Sequence, residues 1–173
     1  MLYLQATKKS LAVLGLDREA LAPPGETESA LGNWVLNVVP IHKREAFLFM
    51  SSASLLSFPM LLGERTPEAH DLGSFLAHGI KQLTSVMRTP RSQSSLLMQD
   101  LEKVALCSAN DKSIIGVHSA IAGEYMARVL AAGGLEKANL GEVIFAINST
   151  PRATLGGRHS FEVTQGLLRK SVA

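Results

Sequence analysis

VALCSANDKSIIGVHSAIAGEY, residues 104–125, decides the reading of this chain, because a strand, a polar turn and a helix succeed one another within it. The apolar run Lys103 to Ser108 predicts the strand, Asn110-Asp111 the turn, and the stretch from about Gly116 to Ala131 a helix that Gly133-Gly134 terminates. On that helix His118, Ile121, Ala122, Tyr125, Met126 and Val129 recur at helical spacing and line one face. A second stretch, VIFAINSTPRATLGGRHSFEV (143–163), repeats the order of features. Each has an apolar run, a polar turn, a cation (Lys112, then Arg152), a glycine (Gly116, then Gly156) and a His-Ser pair (His118-Ser119, then His159-Ser160). Residues 103–134 and 142–170 therefore read as an imperfect internal repeat, with Glu142 to Asn148 as the second strand.

Upstream, Leu2 to Ala6 reads as a strand, and Thr7 offers an N-cap to a two-turn helix that Gly15 stops. Lys8 and Lys9 fall in its first turn, where cations oppose the helix dipole unless they are solvated or face an anion. Asp17 to Leu31, with Pro23-Pro24-Gly25, is a loop. Three apolar runs, Asn33 to Ile41, Glu45 to Met50 and Leu55 to Leu62, with short connections at His42-Lys43-Arg44 and Ser51 to Ser54, predict an antiparallel meander. Thr66-Pro67-Glu68 opens a helix predicted over Pro67 to Met87, whose Leu72, Phe75, Leu76, Ile80, Leu83 and Val86 form an apolar stripe. Ser92 to Leu101 adds a short helix, and Ser160 to Lys170 reads as helix in preference to strand. The sum is a single α+β domain over 1–173: a mostly antiparallel sheet of five or six strands, with one long helix and one or two shorter ones packed on it.

Composition bounds the function. The chain has 173 residues, 46% hydrophobic and 18% charged, enough for one core and outside the disordered range. Its net charge of +2 lacks the dense basic footprint of a dedicated nucleic-acid binder. Residues 87–173 nevertheless hold ten Lys/Arg against seven Asp/Glu, so the positive excess lies in the half with the repeat. One cysteine, Cys107, excludes an internal disulfide and suits a reducing cytoplasm. No apolar run approaches the roughly 18 residues of a spanning helix, so no membrane partner is expected.

No Walker loop, GxGxxG, HExxH, CxxC or Gly-x-Ser-x-Gly element is present, so no cofactor and no metal is expected. His70 and His78 lie eight apart, too far for two metal ligands on one helix face. A strand-turn-helix unit presents backbone N–H groups to anions, and a neighbouring cation adds charge-assisted contacts. The residues expected to bind phosphate or an acidic partner are Lys8, Lys9, Lys43, Arg44, Asn110, Lys112 and Arg152. Two histidines in matched positions, His118 and His159, supply the alternative, a metal-independent ribonuclease or phosphodiesterase. Two-histidine cyclic phosphodiesterases carry His, one residue, then Ser or Thr, whereas here the hydroxyl comes directly after the ring. A protein-directed adaptor is the third reading.

Thr7-Lys8-Lys9, Leu31-Gly32-Asn33-Trp34-Val35-Leu36-Asn37, Lys43-Arg44 and Asn110-Asp111-Lys112-Ser113-Ile114-Ile115-Gly116 together resemble a family of small, uncharacterised bacterial proteins. Its members carry Thr-Lys-Lys-Leu, Leu-Gly-x-Trp-x-x-Asn with a basic pair, and Asn-x-Arg-Ser-apolar-Leu-Gly. This chain departs from that pattern at Ser10, at Lys112 and around Ser51 to Ser54. The resemblance implies a shared fold and a bacterial origin, assigns no catalytic residue, and makes residues 135–173 look like an addition.

Overall fold

The computed structural model describes residues 1–173. Five strands, β1 (Leu2–Ala6), β2 (Trp34–Ile41), β3 (Arg44–Ser51), β4 (Ser57–Leu61) and β5 (Val104–Ser108), form one mixed sheet in the order β4-β3-β2-β1-β5. The meander β2-β3-β4 is antiparallel and makes up most of the ladder, while β1 pairs parallel with both β2 and β5. Six helices complete the α+β domain: α1 (Lys8–Val13), α2 (Leu72–Val86), α3 (Arg91–Asp100), α4 (Lys112–Ala131), α5 (Leu140–Asn148) and α6 (Ser160–Val172).

Side-chain alternation along the strands splits the interior into two cores. Leu2, Leu4, Trp34, Leu36, Phe47 and Phe49 face α1, α2, α3 and α6. On the opposite face Val39, Ile41, Leu48 and Met50 meet α4 and α5. The few aromatic residues are concentrated in the first core, where Phe58 stacks on Phe49 at 5.0 Å and tilts against Trp34 at 6.1 Å. Gly79 of α2 is required there, since a Cβ on it would lie 2.2 Å from the Phe58 ring. At the far end of the sheet Thr164 Oγ1 of α6 donates to the buried Ser54 Oγ (2.9 Å).

Edge strands present unpaired backbone groups that must be covered or blunted. On β4, Pro59 removes one donor. Asn148 then stands in for a missing strand: Ser57 N–H donates to its Oδ1 (2.9 Å) and its Nδ2 donates to Ser57 C=O (2.8 Å). On β5, Ala22 N–H from the long loop donates to Leu106 C=O (2.9 Å).

Four expectations are corrected. Glu142 to Asn148 is helix, not strand: Asn139 caps it through Glu142 N–H, and Val143 and Ile147, four apart, are its buried stripe. A short apolar run fits either period, and its burial against α4 decides. The stretches 103–134 and 142–170 thus share an order of residues but no structural plan, since one begins with a strand and the other with a helix. The long helix starts at Leu72 and not Pro67, because Glu68 and Asp71 form a capping box around a single 3₁₀ turn, Ala69–Asp71. Likewise α4 starts at Lys112 and not Gly116, because the Asp111 carboxylate accepts from Ser113 and Ile114 N–H.

Candidate functional site

Because β1, β2 and β5 run parallel, their carboxyl ends open on one end of the sheet. The segments that leave these strands are therefore gathered there: Thr7, Lys8 and Lys9 after β1, Lys43 and Arg44 after β2, Asn110 and Lys112 after β5. Six of the seven residues expected to bind lie on this side of the sheet and all six are exposed, in two groups: Lys8, Lys9, Asn110 and Lys112 follow β1 and β5, which end level with Leu36 of β2, whereas Lys43 and Arg44 follow Ile41, roughly 17 Å further along that strand. At a spacing of about 4.8 Å between strands, the β1 and β5 connections are neighbours, while the β2–β3 turn reaches the far part of α4, where His42 N–H lies 3.0 Å from Met126 Sδ. The acids among them are few. Glu45 lies 3.5 Å from Lys9 with both side chains 54% exposed, an ion pair worth about 0–1 kcal/mol that leaves Lys9 free to swing away. Arg44 is tethered more firmly, donating from Nη2 to Leu62 C=O at 2.7 Å.

A crevice opens at the same place. The Leu11 face of α1 joins one core, while Ile121, Ala122 and Tyr125 of α4 join the other, so the connections leaving the neighbouring strands β1 and β5 diverge to opposite sides of the sheet. Open sheets bind ligands where connections part in this way. Strand β1 ends opposite Leu36, whereas β2 runs on to Ile41, so the edge of β2 beyond Leu36 has no strand beside it. The resulting slot, about 420 Å³, is bounded by Lys9 on one side, Asn37 to Pro40 below, and Ser119, Gly123 and Met126 of α4 on the other. A second cavity of about 360 Å³ flanks β5, between Arg18, Pro24, Ser108 and Asn110. Thr7 Oγ1 donates to Asn37 Oδ1 and fixes the amide, leaving Nδ2 without a partner in the protein. Asn37 went unassigned in the sequence, although an amide inside the apolar run NWVLNVVPI is the signal that could have flagged it.

The other predicted residues lie elsewhere. Arg152 is only 11% exposed and closes a bidentate pair with Glu124: Nη1 to Oε1 at 2.7 Å and Nη2 to Oε2 at 2.9 Å, with a further bond from Nη2 to Ile147 C=O. It clamps α5 to α4 and has no reach for a ligand. The turn before α4 holds no vacant anion cradle either, since the Asp111 carboxylate occupies those N–H groups (2.8 Å to Ser113). Lys112 contributes its side chain alone.

The structure does not bring the two histidines together. His118 is 1% exposed between α4 and β3, with Nε2 2.9 Å from Leu48 C=O and Nδ1 unpartnered. His159 caps α6, accepting from Glu162 N–H at Nδ1, and that helix buries Phe161 and Leu168 in the opposite core. No substrate reaches His118 in this fold, and paired-histidine cleavage requires both rings at one opening. No group of three His, Cys, Asp or Glu side chains is placed to hold a metal ion.

Burial holds the His118 pKa below its ordinary 6.5, outweighing the hydrogen bond to Leu48 that raises it. The unfolded chain therefore takes up a proton first as the pH falls, and the sign is fixed: stability is full above pH 6.5 and declines below it until the native ring also protonates. Equilibrium urea unfolding at pH 7.5, 6.5 and 5.5 is expected to show this loss, at most about 1.4 kcal/mol per pH unit. His118→Gln is expected to flatten it, and an unchanged slope in that variant would assign the loss to other groups.

Fold and site define an α+β protein with a crevice, lined by Lys9, beyond the carboxyl end of strand β1. The chain belongs to the family described as Domain of unknown function (DUF6933), which it matches over residues 3–162. The match runs well past residue 135, so α5 and the segment after it are part of the family's domain and not an addition to it. Among curated proteins nothing matches the chain. No helix is long and apolar enough to cross a membrane.

Proposed function

We propose that this chain is a binding protein that holds nucleic acid by its phosphates, using Lys8, Lys9, Lys43, Arg44 and Lys112. The observation that carries this reading is that five exposed cations, from three separate stretches of sequence, lie on the side of the sheet where its parallel strands end, with Lys9 lining an open crevice. Helix dipoles do not supply the attraction, because Thr7 and Asp111 already accept from the first amides of α1 and α4. The charge comes from long side chains spread along one side of the sheet, at the starts of α1, α4 and β3, an arrangement suited to a repeating phosphate backbone more than to one fixed anion. A binding role without chemistry is favoured because neither histidine reaches this end. Cys107, buried and unpaired, suits a reducing compartment.

The test is fluorescence anisotropy of labelled RNA and DNA across a salt series. Affinity is expected to fall steeply with salt, and each phosphate contact removed should lower the log–log slope by roughly 0.7 for single strands or 0.9 for duplex. Lys8→Ala/Lys9→Ala and Lys43→Ala/Arg44→Ala should each reduce it. Salt-insensitive binding, or slopes untouched in both double variants, would refute the reading. Binding confined to an acidic protein would move the partner to that class.

A further inference from the structure

The slot beside the cations has its own chemistry. Leu36 C=O accepts from Thr7 N–H, so by alternation the backbone groups of Val38 and the carbonyl of Pro40 also point to the side that β1 has left. The Val38 amide has no strand beside it on that side, and proline contributes no donor at position 40. A donor and two acceptors of the main chain therefore line the floor, with the free Nδ2 of Asn37 beside them. One wall is made low by Gly123, Ala122 and Ser119 and finished by the thioether of Met126. Lys9 stands opposite. A flat ring fits such a slot with its hydrogen-bonding edge on the strand and one face against the low α4 wall, and Lys9 lies where an attached phosphate would be.

We infer that this slot takes the base of an unpaired nucleotide while Lys9 at its rim holds the phosphate. The inference rests on the phosphate reading above and narrows it: the nucleic acid is single-stranded at this point, because a base inside a duplex presents no free edge. Bases rest on protein surfaces with little sequence preference when their faces are covered and their phosphates neutralised. A free nucleotide carries the same base and phosphate, so the two sources are separated by experiment.

The probes are a labelled single-stranded oligonucleotide, the duplex of the same sequence, an abasic version of the strand, and adenosine monophosphate. Gly123 lies inside α4 beside open space, and a Cβ added to it would meet nothing within 4 Å. Gly123→Leu therefore fills the slot without disturbing the fold, and leucine is the better helix former. Gly166→Leu in α6, whose Cβ also meets nothing within 4 Å, is the control. The intact single strand is expected to bind wild type about tenfold tighter than the duplex or the abasic strand, since losing the base forfeits the one or two hydrogen bonds along its edge. Gly123→Leu should abolish that preference and leave the salt slope unchanged, and Gly166→Leu should do neither. Salt-dependent binding that is equal for all three oligonucleotides and indifferent to Gly123→Leu would overturn the slot and leave the phosphate reading standing. Adenosine monophosphate binding that Gly123→Leu blocks, without oligonucleotide binding, would keep the slot, make its ligand a free nucleotide and overturn the phosphate-backbone reading. No binding of any probe would overturn both.

Discussion

Asn148→Ala is expected to lower the stability of this protein by roughly 2–4 kcal/mol, because it leaves the buried Ser57 N–H without a partner and Ser57 C=O with the Tyr125 hydroxyl alone. Asn148 is fully buried, and its amide satisfies both Ser57 N–H and Ser57 C=O while also donating to Ile144 C=O at 2.9 Å. Strand β4 lies at the edge of the sheet, so no neighbouring strand can take over these bonds. Domains of this kind unfold with only about 5–15 kcal/mol, so the loss removes a large share of the total. Urea unfolding should show a lower midpoint at an unchanged slope, and thermal unfolding a drop on the order of 10 °C. Asn148→Asp should rescue little, since it restores the acceptor, loses the donor and buries a charge. Exposing the β4 edge should also raise aggregation on warming. A loss under about 1 kcal/mol would mean that β4 is held by its pairing with β3 alone and that the amide is incidental.

Arg152→Ala is expected to cost roughly 1–3 kcal/mol of stability and to leave nucleic-acid affinity unaltered. The figure lies below the range for removing one partner of a fully buried pair, because Glu124 is 37% exposed and water screens the charge left behind. Arg152→Lys should recover little, as an ammonium cannot bond both carboxylate oxygens and the Ile147 carbonyl in one plane. A double-mutant cycle with Glu124→Gln isolates the pair, and a coupling energy near zero would show that the contact is decorative. If Arg152→Ala instead kept full stability and weakened nucleic-acid binding, the assignment of this residue to the scaffold would be wrong.

Much of the fold was legible in the order of residues. Thr7 before Lys8, the meander 34–61, and the strand 104–108 each carry local signals, a capping side chain, short polar turns and apolar runs, that act within a few residues and so survive without tertiary context. The segment 142–148 does not: VIFAIN satisfies a strand period and a helix period alike, and only Asn139 at the cap and the surface of α4 choose between them. The matching cations Lys112 and Arg152 mislead for the same reason, since their fates depend on neighbours far away in sequence. Lys112 faces solvent, and Arg152 meets Glu124 twenty-eight residues earlier.

The site divides along the same line. By itself the sequence determined which residues carry charge, which segments turn and cap, and that the chain makes one α+β domain, because those properties are set by side-chain chemistry and local backbone preference. Only the tertiary structure decided that Lys8 and Lys112 follow neighbouring strands that end side by side and that Asn37 lies against Thr7. Three strands laid parallel bring to one end what the chain keeps up to a hundred residues apart. It also decided that His118 and Arg152 are scaffold, because burial depends on what the opposite face of the sheet presents and no local pattern reports it.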